Sequence, residues 1–378
     1  MEKEMRLIAF VTFVVLLAGC ENGHTVYDSP GQEVPDVSTL SLVRVDSIGI
    51  EMGDSNYVMG AVEGVAYGPD GNIAVLDCAR SCLRIYSPEG EFLRRIGRQG
   101  FGPGELQSVA FLAISEDGHV YMTGEGSSIL GLHVFDYENA EWLASESAPG
   151  TPPTCIEGAD GSAHVRKDID LDVSSGDPVV LVSVARYEFG MEDPEVVYFE
   201  DSFPFDPAEM GRLIDIIWGG YDIATDFSDN VYVAPRSTEE AVVYAYTSDG
   251  TERFILELDL DPVARTEEEM EMERMILRMH ASAMDMEQMP LEPDPYKPLI
   301  RGLEVDGEGN LWVLRGDPAI PTFKVFDGNG ELLYNAVVEG DPQDGSTWKF
   351  FIDGNGILAY AADPACGYQK IYMLEVRE

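Results

Sequence analysis

One pattern recurs along this chain and restricts its fold more than any other feature. A short apolar stretch leads into a Gly/Asp/Asn turn, an alternating strand, a loop, a second alternating strand, another turn and a third strand. The clearest copy covers residues 64–77 and 83–93, and a second covers 302–314 and 323–333. Both alternate apolar and polar residues with period two. Both carry two Asp-Gly or Glu-Gly hairpin turns, which supply the positive φ that tight hairpins require. Weaker copies start near Ala110 and Asp222, a degenerate one near Cys155, and the last at Thr347. Six units result, each with room for about four short strands.

The ends of the chain decide how the units close. The last unit reaches only a third strand before Glu378, while residues 40–50 form an alternating strand with no unit of its own. Pairing the spare strand with residues 370–376 removes two exposed sheet edges, which otherwise invite aggregation. The expected fold is all-β, a six-bladed β-propeller closed by the N-terminal strand. An open solenoid would need capping ends instead.

One segment departs from the repeat. Gly118 to Gly161 spans 43 residues, but Asn230 to Gly309 spans 79. The excess is an insertion at about 263–295. Residues 265–288 lack Gly and Pro and are dense in Glu, Met, Arg and Ala, so they read as a helix. Met272, Met275 or Ile276, Met279, Ala283 and Met286 share one side of it. The expectation is that this stripe packs on a blade. An adaptable recognition surface is the competing reading, and a soft-metal site from Met270, Met272, Met275, Met284, Met286 and Met289 around His280 is a third.

The N-terminus carries an address. Residues 7–18 are an apolar run too short to span a bilayer, after a weak basic start at Lys3 and Arg6. The run ends in Leu17, Ala18, Gly19 and Cys20, which resembles a bacterial lipobox. The expected organisation is a lipoprotein signal over 1–19, a flexible tether over 20–39 starting at lipidated Cys20, and the propeller over 40–378. The expected location is the cell envelope, with the domain held at a membrane by its lipid. Glu21, where Asp would signal retention at the inner membrane, resembles an outer-membrane sorting signal.

The repeat units also resemble NHL-type propeller repeats. The residues that carry the likeness are 72–77, then Leu83, Arg84, Ile85 and Tyr86, with Gly90, Ile96 and Gly97. Residues 96–106, 296–306 and 310–313 are similar to segments of bacterial six-bladed propeller lipoproteins. The resemblance covers most of residues 40–378. It implies the fold and says little about activity.

Charge and side-chain chemistry narrow the function. The chain has 69 acidic and 24 basic residues, a net charge of −45 and a pI near 4.1. It repels phosphate backbones, so nucleic acid is not an expected partner. Arg80, Arg166, Arg236 and Arg315 each follow the second strand of a unit, and Arg301 stands just before a first strand. Five arginines near one face of an acidic protein would attract an anion; the alternative is that they pair with the abundant carboxylates. Glu63, Asp77 and Asp222 are nearby and are weak candidates for a Ca²⁺ site. The five histidines are scattered, and no Ser-His-Asp set stands out. Cys78 and Cys82 flank one tight loop and are the first candidate disulfide, leaving Cys155 and Cys366.

The sequence thus points to a monomeric, non-catalytic binding module. Its ligand would be a small anion, a glycan or a segment of an envelope protein at the arginine-bearing channel face. The alternative is a Ca²⁺-dependent lactonase-like hydrolase or lyase in the channel.

Overall fold

The computed structural model describes residues 23–27, 37–126, 130–147, 156–157, 163–172, 178–191, 193–205, 220–226, 228–283, 292–316, 320–339, 348–362, 364 and 367–377. The signal segment, Cys20, most of the tether, Cys155, Cys366, Met284, Met286 and Met289 lie outside them.

The chain is all-β with a propeller arrangement. β1 (Gly23–Tyr27) and β2 (Thr39–Ile48) precede the first complete meander. That meander is β3 (Val62–Tyr67), β4 (Ile73–Asp77), β5 (Cys82–Tyr86) and β6 (Phe92–Ile96). The next comprises β7 (Arg98–Gln99), β8 (Glu105–Ile114), β9 (His119–Gly126), β10 (Leu130–Asp136) and β11 (Trp142–Ser147). β12 (Ile156–Glu157), β13 (Ala163–Asp172), β14 (Val179–Glu188) and β15 (Val196–Pro204) follow. Then come β16 (Tyr221–Thr225), β17 (Val231–Pro235), β18 (Ala241–Tyr246) and β19 (Glu252–Leu258). After the insertion stand β20 (Ile300–Val305), β21 (Leu311–Arg315), β22 (Thr322–Phe326) and β23 (Leu332–Val338). β24 (Trp348–Asp353), β25 (Gly356–Ala361) and β26 (Ile371–Arg377) end the chain.

Local chemistry explains the hairpins. In four first-to-second-strand turns an aspartate accepts from an asparagine side chain: Asp70 from Asn72, Asp226 from Asn230, Asp306 from Asn310 and Asp353 from Asn355. Gly309 adopts φ +81°, a conformation that costs glycine nothing. Apart from the short β7, which runs parallel to β8, the strands within each meander pair antiparallel, and the strands that open the meanders touch in cyclic order: β3 with β8, β8 with β12, β12 with β16, β16 with β20, β20 with β24, and β24 with β3.

The N-terminal strand completes the last meander. β2 runs antiparallel beside β26, Leu42 opposite Val376 and Ser47 opposite Tyr372. Its first residues also pair in parallel with β23, Thr39 opposite Asn335, which joins two meanders into one eight-stranded sheet. β1 adds a parallel strand to the outer edge of β19, so part of the expected tether is strand.

Apolar side chains fill the spaces between neighbouring meanders. One cluster packs Leu76, Leu83 and Ile96 against Leu106, Val120 and Phe135. Another closes the ring by packing Val65, Val75 and Tyr86 against Leu358, Ile371 and Met373. Each such side chain, fully buried, contributes roughly 1.5–3 kcal/mol.

The insertion contains α1 (Glu267–Ala283), the one α-helix among the described residues. It starts later than expected because Thr266 caps it: Thr266 Oγ1 accepts from the Glu269 amide at 3.3 Å, and Glu269 Oε2 accepts from the Thr266 amide at 2.8 Å. The methionine stripe corrects the sequence expectation. Leu277 and Ala281 are the side chains buried in the blade cluster, with Val180, Tyr221 and Val233. Met272, Met275 and Met279 face away from it, 52%, 58% and 62% exposed.

Candidate functional site

Antiparallel pairing puts the starts of the first strands and the ends of the second strands on one rim. Val62 pairs with Asp77, Tyr221 with Pro235 and Ile300 with Arg315. Glu63, Asp222, Arg236, Arg301, Arg315 and Lys349 are therefore brought to the mouth of the channel that the first strands surround.

Most charges here are matched. Arg236 donates to both oxygens of Asp222, from Nε to Oδ2 at 3.0 Å and from Nη2 to Oδ1 at 2.6 Å, the bidentate geometry that makes such pairs strong. Lys349 Nζ lies 3.6 Å from Glu63 Oε2. On the insertion, Arg265 lies 3.8 Å from Glu273.

Arg301 has no such partner among the described residues. It occupies a β-bulge, an extra residue between Ile300 and Gly302 opposite β21. Glu63 occupies the matching bulge between Val62 and Gly64 in the first meander. Among the described residues no carboxylate forms an ion pair with Arg301 and no acceptor takes its hydrogens. Burial holds its pKa below the usual guanidinium value, and the nearby Arg236 lowers it further; Asp222 and Glu273 oppose this in part. Burial likewise lowers the pKa of Lys349, which Glu63 raises and Arg236 and Arg301 lower. Its side chain is nonetheless 48% exposed, so it stands in a recess that solvent reaches. Arg236, Arg301 and Lys349 thus act on one another against Asp222 and Glu63, a local surplus of positive charge in a chain of −45. Such a recess can hold an anion through charge-assisted hydrogen bonds.

The other expected arginines divide. Arg315, the last residue of β21, sits across from Ile300 and next to Arg301 along the rim. Arg80 follows β4 on a 3-10 turn; it donates to the Ser55 carbonyl at 2.8 Å and lies 3.9 Å from Asp77. Arg166 is not at the rim, contrary to the sequence expectation. β13 has 10 residues where β4 has 5, so a residue soon after its hairpin turn remains mid-strand. Arg166 is 1% exposed, 3.4 Å from Glu146 and 3.2 Å from Asp168, with its guanidinium 3.9 Å from the Tyr187 ring centroid. His164 is buried beside it, with Nε2 3.4 Å from the guanidinium.

The carboxylates proposed for Ca²⁺ are each engaged by a cation. Asp77 is fully buried and accepts from Arg84 at 2.5 Å and from the Gly60 and Ala61 amides, Asp222 is held by Arg236, and Glu63 faces Lys349. Among the described residues no group of three or more His, Cys, Asp or Glu side chains gathers as a metal site. Cys78 and Cys82 are free thiols and not the expected disulfide. Cys78 turns toward Ser108 and Val109 on the next meander, whereas Cys82 turns toward Arg84, and burial raises both thiol pKa values.

Sequence reasoning missed Lys349 and Arg84. Lys349 had a signal: it stands at the start of the last unit's first strand, where Asp222 stands in its own unit.

Among the described residues no helix is long and apolar enough to cross a membrane. No protein-family model matches the chain, and no curated protein matches it. Solved structures do. Virginiamycin B lyase from Staphylococcus aureus is 12% identical with a TM-score of 0.45, over 87% of this chain and 98% of that one. The calcium-binding protein regucalcin from Agrobacterium tumefaciens is 13% identical with a TM-score of 0.41, over 89% and 96%. A protein of unknown function from Bacteroides thetaiotaomicron is 14% identical with a TM-score of 0.46, over 90% and 76%. The structures that this chain resembles are β-propeller proteins.

Proposed function

We propose that this chain is an exported, lipid-anchored, six-bladed β-propeller that binds an anionic group at the channel mouth and does not turn it over. The ligand class is a small anion, an acidic glycan or an acidic protein segment. Six first strands touching in cyclic order support the blade number. Leu17, Ala18, Gly19 and Cys20 support the anchor. The observation that carries the binding reading is Arg301: Arg236, Arg265 and Lys349 each have a carboxylate, and Arg301 has none among the described residues.

Titration calorimetry of the propeller with citrate at low ionic strength tests it. Citrate should bind, and Arg301→Ala should weaken binding about 10- to 100-fold, since a hydrogen bond to a charged group contributes roughly 1.5–3 kcal/mol. Equal binding by both proteins refutes the site. Turnover of a lactone that stops on calcium chelation would favour the hydrolase alternative.

A further inference from the structure

We propose that the outer face of α1 is a docking surface for a basic amphipathic helix of another protein. The helix is fixed on its inner side, and among the described residues its outer side carries exposed apolar side chains. Leu277 and Ala281, four residues apart, are fully buried against the neighbouring blades. Lys297 pairs with Glu269 at 2.8 Å and Arg274 with Glu292 at 3.3 Å, which holds the helix along its length. Met272, Met275 and Met279 recur at spacings of three and four and form one stripe directed away from the protein body. A stripe exposed by more than half at each position leaves much of its apolar area in water, and contiguous apolar side chains so placed mark a contact surface.

The chemistry of the stripe selects its occupant. Methionine is unbranched and adapts to different apolar shapes, which suits a helix laid across it with anchors at i, i+3 or i+4, and i+7. Glu267, Glu268 and Glu271 are exposed beside the stripe, with Arg278 the exposed cation on the same helix. The surrounding chain carries −45. A second copy would bring like charges together, and an anionic membrane surface would be repelled. A helix with Lys and Arg flanking its apolar anchors satisfies both the stripe and the field. This surface is separate from Arg301, so either reading can fail alone.

The probe is a fluorescein-labelled synthetic helix with Leu anchors and Lys flanks, compared by anisotropy at physiological salt with a scrambled peptide of equal composition and no apolar face. The intact protein should bind the amphipathic peptide at least about tenfold more tightly than the scramble. Met275→Glu with Met279→Glu should abolish that preference while leaving the citrate affinity unchanged. Should the glutamate pair misfold, Met275→Gln with Met279→Gln gives the same comparison without new charge. Equal affinity for the two peptides overturns the proposal, as does a preference that survives the methionine substitutions. Light scattering that shows a dimer dissolved by the same substitutions, or methionine-dependent binding to zwitterionic vesicles, assigns the face to a second copy or to lipid and also overturns it.

Discussion

Replacing Arg84 with methionine should destabilise this protein more than any surface change. Arg84 and Asp77 are fully buried, 2.5 Å apart. The guanidinium also donates to the carbonyls of Ser55, Asn56 and Val58 at 3.2, 3.0 and 3.1 Å. These carbonyls belong to the loop that carries the chain from β2 into β3, so the pair fastens the closing strand to the first meander. Arg84→Met leaves Asp77 buried with the Gly60 and Ala61 amides and the partly exposed Arg80 at 3.9 Å, and strips Val58 of its donor. Removing one partner of a buried pair costs about 3–5 kcal/mol. Unfolding entropy of about 2.1 cal/mol/K per residue over roughly 340 residues gives about 0.7 kcal/mol/K, so the melting temperature should fall by about 4–7 °C. Adding Asp77→Leu should restore at least about 1.5 kcal/mol, because no unpaired charge then remains buried. Differential scanning calorimetry of the two variants reads both numbers. A fall below about 1 °C for Arg84→Met, or a double variant less stable than the single one, refutes the reasoning.

Other outcomes follow from the same interactions. Burial pushes the hydroxyls of Tyr67, Tyr232, Tyr246 and Tyr334 up to about 12, aided by nearby carboxylates. Their folded values lie above the unfolded value, so the stability they contribute is complete below pH about 10 and drains away as pH rises toward 12. Ultraviolet titration should show these tyrosines ionising together with loss of the strand circular dichroism; smooth ionisation near pH 10 in the folded protein contradicts this. For Asp70, burial raises the pKa, but hydrogen bonds from Tyr137 and Asn72 outweigh it and the pKa lies below the ordinary value. Its contribution is present above pH about 3.9 and is lost as pH falls through the folded value, so Tyr137→Phe should flatten the acid limb of urea-measured stability. Because Cys82 is buried and its thiol pKa raised, it should resist alkylation until the protein unfolds; peptides recovered with Cys78 joined to Cys82 would contradict the free thiols.

The fold was legible because the turns repeat a chemistry that can be read locally. Asp226 and Asp306 each stand four residues before an asparagine and close the same hydrogen-bonded hairpin, and Asp70 bonds Asn72 from within the equivalent turn. The pairing of β2 with β26 followed from counting strands at the two ends. Burial in a stacked sheet was harder to read. Both faces of β5 are covered by neighbouring meanders, so Arg84 in an alternating pattern reads as solvent-facing and is instead fully buried. α1 is apolar on two sides, and periodicity alone cannot choose between them; Leu277 and Ala281 went inward and the methionines outward. At the rim, position along the strand foretold Arg236, Arg301 and Arg315, while the length of β13, invisible in the sequence, withdrew Arg166.

The most direct test of the channel-mouth site is an anomalous difference map from crystals soaked in selenate. The account predicts a selenium peak within hydrogen-bonding distance of the Arg301 guanidinium, beside Lys349 and Arg236. A map with no peak there, and with Arg301 closed onto a carboxylate of its own chain, would contradict it.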